Sequence, residues 1–379
     1  MEKILRFIAA ETGGESYRTS KVELDVELDS TSRLEYEDSP TEIVLKQNGE
    51  TRPTKNFVSI ESSAGSSASS GMQILSYFLD GTRCIYKVDE VAYQRSSRKL
   101  VYPIIAAQVV TGCCRRADKK LHAEKFSDEI ILVLPDLANS GGHSGFFPAL
   151  VAKINARFKM QVSKIISYDT NQNSAEKFED RAVAKIMEHM HDAEINLVAQ
   201  LVRRGKLDQK NYLVKDGSLE YRILSGRKFN AKNYNFVIGV SKKFNPARIK
   251  DASDKINPGL VADLPKFCRT PVTICERGNF HGGIKIAVWY LRLRDKKFSD
   301  SPFDGVVKVE KILVTDAEIS CGKIDSDEVN LLSSYLLNER NPVCYGADNR
   351  WANHIYPIFL TESFIKSRLI SSETFLHLF

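Results

Sequence analysis

Apolar positions gather into short runs through the first third of the chain. Each run has the length and the β-branched or alternating composition that is typical of a strand. The predicted strands are residues 73–80, 83–93, 100–111 and 130–134. Asp80, Gly81 and Thr82 separate the first two runs. An Asp-Gly pair between apolar runs predicts a tight hairpin, which would place Asp80 at the end of the first strand.

The spacing of apolar residues then becomes helical. Residues 146–158 suit a short helix, and residues 175–204 contain neither Pro nor Gly. The longer segment has one apolar stripe at spacings of three and four. The stripe comprises Ala182, Ile186, Met190, Ala193, Leu197 and Leu201. Gly205 is expected to end this helix.

Strand patterns return in the second half of the chain, and the tail, residues 361–376, is predicted to be helical. The later strands are residues 212–215, 236–240, 284–293 and 306–314. Three strands, a helix and further strands predict a mixed α/β sheet flanked by helices. The order matches a ribonuclease H-like core, in which the first strand of an antiparallel meander carries one acid and a later strand beside it carries a second.

The first 71 residues differ from the rest of the chain. Residues 21–29 alternate like an exposed strand, residues 25–41 are strongly acidic, and residues 59–71 are rich in serine and glycine. This last stretch is either a flexible boundary or a mobile loop over a site. We interpret residues 1–71 as an N-terminal extension with a linker, and residues 72–379 as the main domain.

Composition agrees with a cytoplasmic protein that has no membrane partner. The chain has 379 residues, of which 27% are charged and 42% are hydrophobic. Its apolar runs are shorter than the roughly 20 residues that cross a bilayer, and the N-terminal run is too short for a secretory signal. The seven cysteines form no C-x-x-C pair, so reduced thiols are expected rather than a zinc ribbon or a disulfide framework.

A net charge of +6 weakly favours a polyanionic partner. Separate basic clusters occur at residues 115–120, 203–206 and 242–250, and residues 289–297 mix aromatic with basic side chains. Such surfaces are typical of nucleic-acid binding. The alternative is that each cluster is a solvated face.

A short acidic turn occurs twice, at Asp80 and at Asp216. In both places an apolar run is followed by Asp, Gly and a hydroxyl residue. Two carboxylates at neighbouring strand ends suit a metal-dependent phosphodiesterase, because Mg²⁺ and Mn²⁺ prefer oxygen ligands. The alternative is that Asp-Gly is an ordinary turn dipeptide.

Two further charged residues have informative positions. Glu194 follows Ala193 of the apolar stripe, so it is expected at the edge of the helix's buried face. Lys242 follows a predicted buried strand, where it would neutralise the scissile phosphate or orient the nucleophile. The alternative for Lys242 is a side chain that snorkels from the sheet edge.

Taken in order, these motifs resemble the NurA nuclease family. The motifs are Asp-Gly-Thr, the acidic helix, "LVKDGSL", "VIGVSK" and "HIYPIFLTESFIKSRLIS", and together they extend over residues 72–371. The resemblance implies a ribonuclease H-like fold related to the Piwi core. It also implies a dimeric DNA nuclease that uses two Mn²⁺ or Mg²⁺ ions, and a HerA-type hexameric ATPase as partner, in DNA end processing or antiphage defence.

The resemblance also implies site residues. Asp80, Asp216 and Glu194 would bind the metal ions, and Lys242 and His354 would complete the catalytic site. Glu188 and Glu179 are alternatives to Glu194, and His354 is alternatively a core histidine. The chain departs from the family pattern by having Thr82 where serine is usual and by an additional segment near residues 113–145.

No nucleotide-binding motif of the Walker type occurs, so ATP hydrolysis is expected to belong to the partner. Residues 1–71 are the predicted docking segment for it, the alternative being that they cover a sheet edge of their own domain. A different class of function stays open: a non-catalytic nucleic-acid-binding or scaffold subunit with a Piwi-like or ribonuclease H-like fold.

Overall fold

A computed structural model describes most of the chain. The described residues are 4–17, 19–24, 42–46, 48–54, 57–60, 73–95, 97–139, 141–158, 160–171, 176–219, 229–251, 255–277, 284–298, 301–343 and 351–379. Parts of the predicted N-terminal extension and its Ser/Gly-rich linker lie outside these ranges.

The strands of the described residues join into one large mixed sheet. They are β1 (Glu15–Tyr17), β2 (Val22–Glu23), β3 (Glu42–Lys46), β4 (Val58–Ser59), β5 (Leu75–Arg95), β6 (Arg98–Ala117), β7 (Lys120–Pro135), β8 (Val162–Tyr168), β9 (Tyr212–Asp216), β10 (Val237–Ser241), β11 (Cys268–Arg269), β12 (Thr273–Arg277), β13 (Ile284–Arg292) and β14 (Val306–Ile312). Their main order is β3-β12-β13-β14-β10-β9-β5-β6-β7-β8. β1 and β2 pair with β5, and β11 pairs with β13 and β4.

The central strands contain a meander with a later strand beside its first strand, as predicted, but the strands predicted at residues 73–80 and 83–93 are a single strand, β5. β5, β6 and β7 form an antiparallel meander. β9 lies parallel to β5 on its other side, and β10 lies parallel to β9. The additional segment predicted near residues 113–145 therefore contains the end of β6 and all of β7, which are integral to this meander.

The predicted hairpin at Asp80 is wrong. β5 continues through this position, where Asp80 pairs with Gly112 of β6, and the chain reverses only between Arg95 and Arg98. Gly81 serves close packing instead of a turn. A Cβ at Gly81 would lie 3.0 Å from Glu194 Oε1 and 3.1 Å from Met190, so the long helix packs closely over this residue.

Helices cover both faces of the sheet. They are α1 (Ile4–Glu11), α2 (Phe146–Phe158), α3 (Phe178–Arg203), α4 (Gly259–Ala262), α5 (Asp316–Cys321), α6 (Ser326–Asn338), α7 (Tyr356–Lys366) and α8 (Ser372–His377). The helices predicted at residues 146–158 and 175–204 are confirmed as α2 and α3, and Gly205 ends α3 with a φ of 62°. The predicted helical tail is confirmed in part. It consists of α7 and α8 with a break at residues 367–371, and the Ser371 side chain caps α8 by accepting a hydrogen bond from the Thr374 amide.

Alternation along β5 separates two cores. Tyr77 and Leu79 pack with the C-terminal half of α3. Phe78 points to the other face and packs with α6 and with Ile358 of α7. The charged residues of β5 and β9 therefore face either α3 or α7.

The described parts of residues 1–71 pack against the rest of the chain. Phe7 and Ile8 of α1 are buried in a core that also contains residues of β5 and β6. Glu50 is fully buried and paired with Arg269, with 2.7 Å between Glu50 Oε2 and the guanidinium. The docking role of this segment stays a prediction. No helix of the described residues is long and apolar enough to cross a membrane.

Candidate metal centre

Asp80 and Asp216 lie side by side on neighbouring strands. β5 and β9 run parallel with Leu79 opposite Lys215, so the next residue of each strand is an aspartate. Phe78 and Val214, two residues earlier, pack in the core that contains Ile358 of α7. Because side chains two residues apart share a face, both carboxylates point towards α7.

Helix α7 supplies a third carboxylate that the sequence analysis did not identify. Glu362 lies one helical turn after Ile358, which packs against the sheet, so Glu362 also points towards the sheet. Asp80, Asp216 and Glu362 each offer an oxygen, and these oxygens all lie within 4.8 Å of one another. We name this group the carboxylate cluster.

Lys242 joins two members of the carboxylate cluster. It follows β10, in which Val240 is opposite Asp216. Its Nζ lies 2.9 Å from Asp216 Oδ2 and 2.9 Å from Glu362 Oε2, and its side chain is only 6% exposed. The more exposed Lys366 contacts the outer oxygen of Glu362 at 3.0 Å.

The charges of these groups shift one another's pKa values. Burial and the charge of Asp216 raise the pKa of Asp80 well above its usual range. Burial raises the pKa of Glu362 as well, but the charge and hydrogen bond of Lys242 outweigh it and bring the pKa to about 2. Burial lowers the pKa of Lys242, but Asp216 and Glu362 outweigh it, so its pKa is raised and the ammonium stays charged.

Asp80 differs from its two neighbours because no ammonium contacts it among the described residues. The Gly81 amide donates to Asp80 Oδ1 at 2.8 Å, and Asp216 and Glu362 both repel the Asp80 charge. A cation bound between the three carboxylates would relieve this repulsion. The donor set is entirely oxygen, which fits Mg²⁺ or Mn²⁺.

Glu194 approaches the same strands from the opposite face. Its side chain is buried, as predicted, next to Gly81. Its Oε2 lies 3.4 Å from Nζ of Lys215, the residue before Asp216. The structure thus places Glu194 outside the carboxylate cluster, and its assignment as a metal ligand stays a prediction.

The remaining residues that were predicted for the site contact groups outside the carboxylate cluster. Glu188 pairs with Lys185, and Glu179 lies 3.5 Å from Lys87. His354 is buried, with its ring 5.3 Å from that of Phe359 in an edge-to-face contact. This contact agrees with the alternative of a core histidine, and the catalytic assignment of His354 stays a prediction.

Comparisons with known proteins give a weak structural likeness. No protein-family model and no curated protein sequence matches the chain. Among solved structures, the chain is similar to the NurA nuclease from Sulfolobus solfataricus, at 11% identity and a TM-score of 0.37, over 78% of this chain and 80% of that one. A likeness at this level assigns no function, so the function is inferred from the chain's own residues.

Proposed function

We propose that the protein is a divalent-metal-dependent nuclease that hydrolyses phosphodiester bonds of DNA. The observation that carries this proposal is the carboxylate cluster of Asp80, Asp216 and Glu362, with Lys242 beside it. Carboxylates at adjacent strand positions, joined by a third from a helix, are the ligands that a metal-dependent phosphodiesterase needs. The β5–β6–β7 meander with β9 parallel to β5 supports a ribonuclease H-like classification.

Asp80, Asp216 and Glu362 would hold the Mg²⁺ or Mn²⁺ ions. Bound divalent ions supply an activated water and stabilise charge on the phosphoryl oxygens. Lys242 fixes the carboxylates of Asp216 and Glu362 through its two hydrogen bonds. With its ammonium hydrogen-bonded to both carboxylates, Lys242 would supply a positive charge beside the bound phosphate.

Partners are proposed from the sequence resemblance alone. These are a second copy of the chain and a HerA-type hexameric ATPase, in the cytoplasm, during DNA end processing or antiphage defence. Deleting residues 1–58 would not isolate a docking role, because it removes the buried α1 and the β1 and β2 pairings with β5. Copurification of the full chain with such an ATPase is the appropriate measurement, and two independent elution peaks would count against the partnership.

The nuclease proposal is tested with linear DNA and Mn²⁺, with and without EDTA. Asp216→Asn is expected to lower the cleavage rate by at least about 100-fold, as loss of a transition-state contact does. The matched control is Asp263→Asn, since the Asp263 side chain is 87% exposed. Both variants should be folded and unfold cooperatively, so that a lower rate reports on the site and not on loss of the fold.

Two outcomes would contradict the proposal. Cleavage that persists in EDTA would exclude a metal-dependent reaction, and normal cleavage by Asp216→Asn would exclude this site. DNA binding without any cleavage would instead favour the non-catalytic nucleic-acid-binding subunit.

A further inference from the structure

An aromatic side chain extends across the sheet next to the carboxylate cluster. Asp80, Gly112 and Phe126 are directly opposite one another on β5, β6 and β7, and therefore share one face. Gly112 has no side chain, and the Phe126 ring occupies that space. A Cβ at Gly112 would lie only 2.2 Å from Phe126 Cε1. The ring thus reaches over β6 towards the strand that carries Asp80.

A second aromatic ring continues this surface towards solvent. Phe364 of α7 follows Glu362 by two residues, and its ring centroid is 4.9 Å from that of Phe126. Phe364 is 41% exposed. Part of the Phe364 ring is therefore open to solvent while the rest packs on Phe126, so the two rings form one apolar surface on this side of α7.

Cations border the two rings. The Arg368 guanidinium lies 5.4 Å from the centroid of Phe126, held there by two 2.8 Å contacts with the Asp128 carboxylate. Lys366, 42% exposed, lies on the same helix and contacts Glu362. We name Phe126, Phe364, Lys366 and Arg368 the aromatic patch. It combines ring surfaces with two partly exposed cations, each of them paired with a carboxylate, Lys366 with Glu362 and Arg368 with Asp128. Aromatic rings next to cations are typical of surfaces that bind single-stranded nucleic acid.

We propose that the aromatic patch binds an unpaired nucleotide of the substrate, with its base stacked on Phe364 and its phosphates near Lys366 and Arg368. This inference rests on the proposed nuclease function and names its substrate class, a single strand or a frayed duplex end. The bases of an intact duplex are covered by their neighbours, so they offer no free face to Phe364. Because Phe126 shares a sheet face with Asp80 and Phe364 shares α7 with Glu362, a base held here would keep the strand on the same side of the sheet as the proposed metal site.

The test measures binding without cleavage. Fluorescence anisotropy in EDTA at low salt compares a labelled single-stranded oligothymidylate with a blunt duplex of equal length. Phe364→Ala is expected to weaken single-strand binding by about 5- to 100-fold, the range that loss of one base–aromatic stack gives. Binding of the blunt duplex should change less than about twofold, a shift too small to reflect loss of such a stack.

Three variants separate stacking from folding. Phe57→Ala removes a phenylalanine that is 53% exposed elsewhere and should bind like the wild type. Phe364→Trp keeps an aromatic face and should retain binding. Phe364→Leu keeps apolar bulk without that face and should bind as weakly as Phe364→Ala, even if the alanine variant folds poorly.

The outcomes for the patch and for the nuclease are distinguishable. Wild-type single-strand binding by Phe364→Leu, or an equal loss on the blunt duplex, would overturn the stacking proposal while metal-dependent cleavage stands. A selective single-strand loss in a protein that never cleaves DNA would support the patch as a binding surface and remove the nuclease assignment.

Discussion

Two faces of the same strand contain different kinds of charged group. On the face towards α3, the buried ammonium of Lys215 is paired with the buried carboxylate of Glu194. On the face towards α7, the next residue, Asp216, lies in a cluster with Asp80 and Glu362. Among the described residues, Lys242 is the buried ammonium that contacts this cluster.

The difference between the faces is charge balance and not burial. Burying a charge is costly unless it is paired, and Glu194 has the ammonium of Lys215 as its partner. The three carboxylates outnumber the ammonium groups of Lys242 and Lys366 that contact them, and burial together with the charge of Asp216 raises the pKa of Asp80. An excess of carboxylate oxygens in a crevice is what a divalent cation would balance. The comparison therefore favours a structural role for the pair on the α3 face and supports the metal site proposed for the α7 face.

Breaking the pair on the α3 face should have the largest effect on stability. Lys215→Met removes the ammonium that is paired with the buried Glu194 and the donors to the Asp216 and Ser218 carbonyls. The expected loss is about 3–5 kcal/mol in the free energy of unfolding, as for other broken buried pairs. Urea denaturation measures it.

A double variant is the control for that prediction. Lys215→Met combined with Glu194→Leu removes both charges and should recover most of the lost stability, because an apolar replacement of a buried pair is often neutral. If Lys215→Met alone unfolds at the wild-type urea concentration, the pair does not support the fold and the comparison fails on this face.

Removing a carboxylate from the α7 face should instead act on the metal. Glu362→Gln is expected to lower the affinity for Mn²⁺ by at least about 10-fold. Glu194→Gln should change that affinity by less than about threefold, well below the loss expected for a direct ligand. Isothermal titration calorimetry of the apoprotein measures both. The reverse result would identify Glu194 as the ligand and Glu362 as its structural counterpart.

The local sequence pattern was sufficient to predict that Asp80 and Asp216 lie close together on neighbouring strands. Each follows an apolar run, and β5 and β9 are neighbours, as the order of strands and helices indicated. The prediction of a turn at Asp80 was wrong because the Asp-Gly rule uses only adjacent residues. The pairing of Asp80 with Gly112 of β6, which keeps β5 continuous, is a long-range contact that the rule does not include.

The two helical carboxylates, Glu194 and Glu362, show what the sequence pattern could not predict. Periodicity correctly indicated that Glu194 lies at the buried side of α3, but it does not tell on which face of the sheet a helix packs. Glu362 had a usable signal, its position one turn after the apolar Ile358. Its closeness to Asp216 depends on how α7 crosses β5 and β9, which is tertiary structure.

The smallest expected effect comes from Gly81, the residue after Asp80. Gly81→Ala would bring a Cβ to 3.0 Å from Glu194 Oε1 and 3.1 Å from Met190. Both neighbours are side chains that can move by a few tenths of an ångström, so we expect a cost of only about 1 kcal/mol. Since the added methyl points towards α3, Mn²⁺ affinity should stay at the wild-type value.

Gly145→Ala is the control, because a Cβ there meets nothing within 4 Å. Thermal unfolding and calorimetry on the same samples decide the matter. Weakened Mn²⁺ binding in Gly81→Ala, with unchanged stability, would show that the two faces of β5 are not independent.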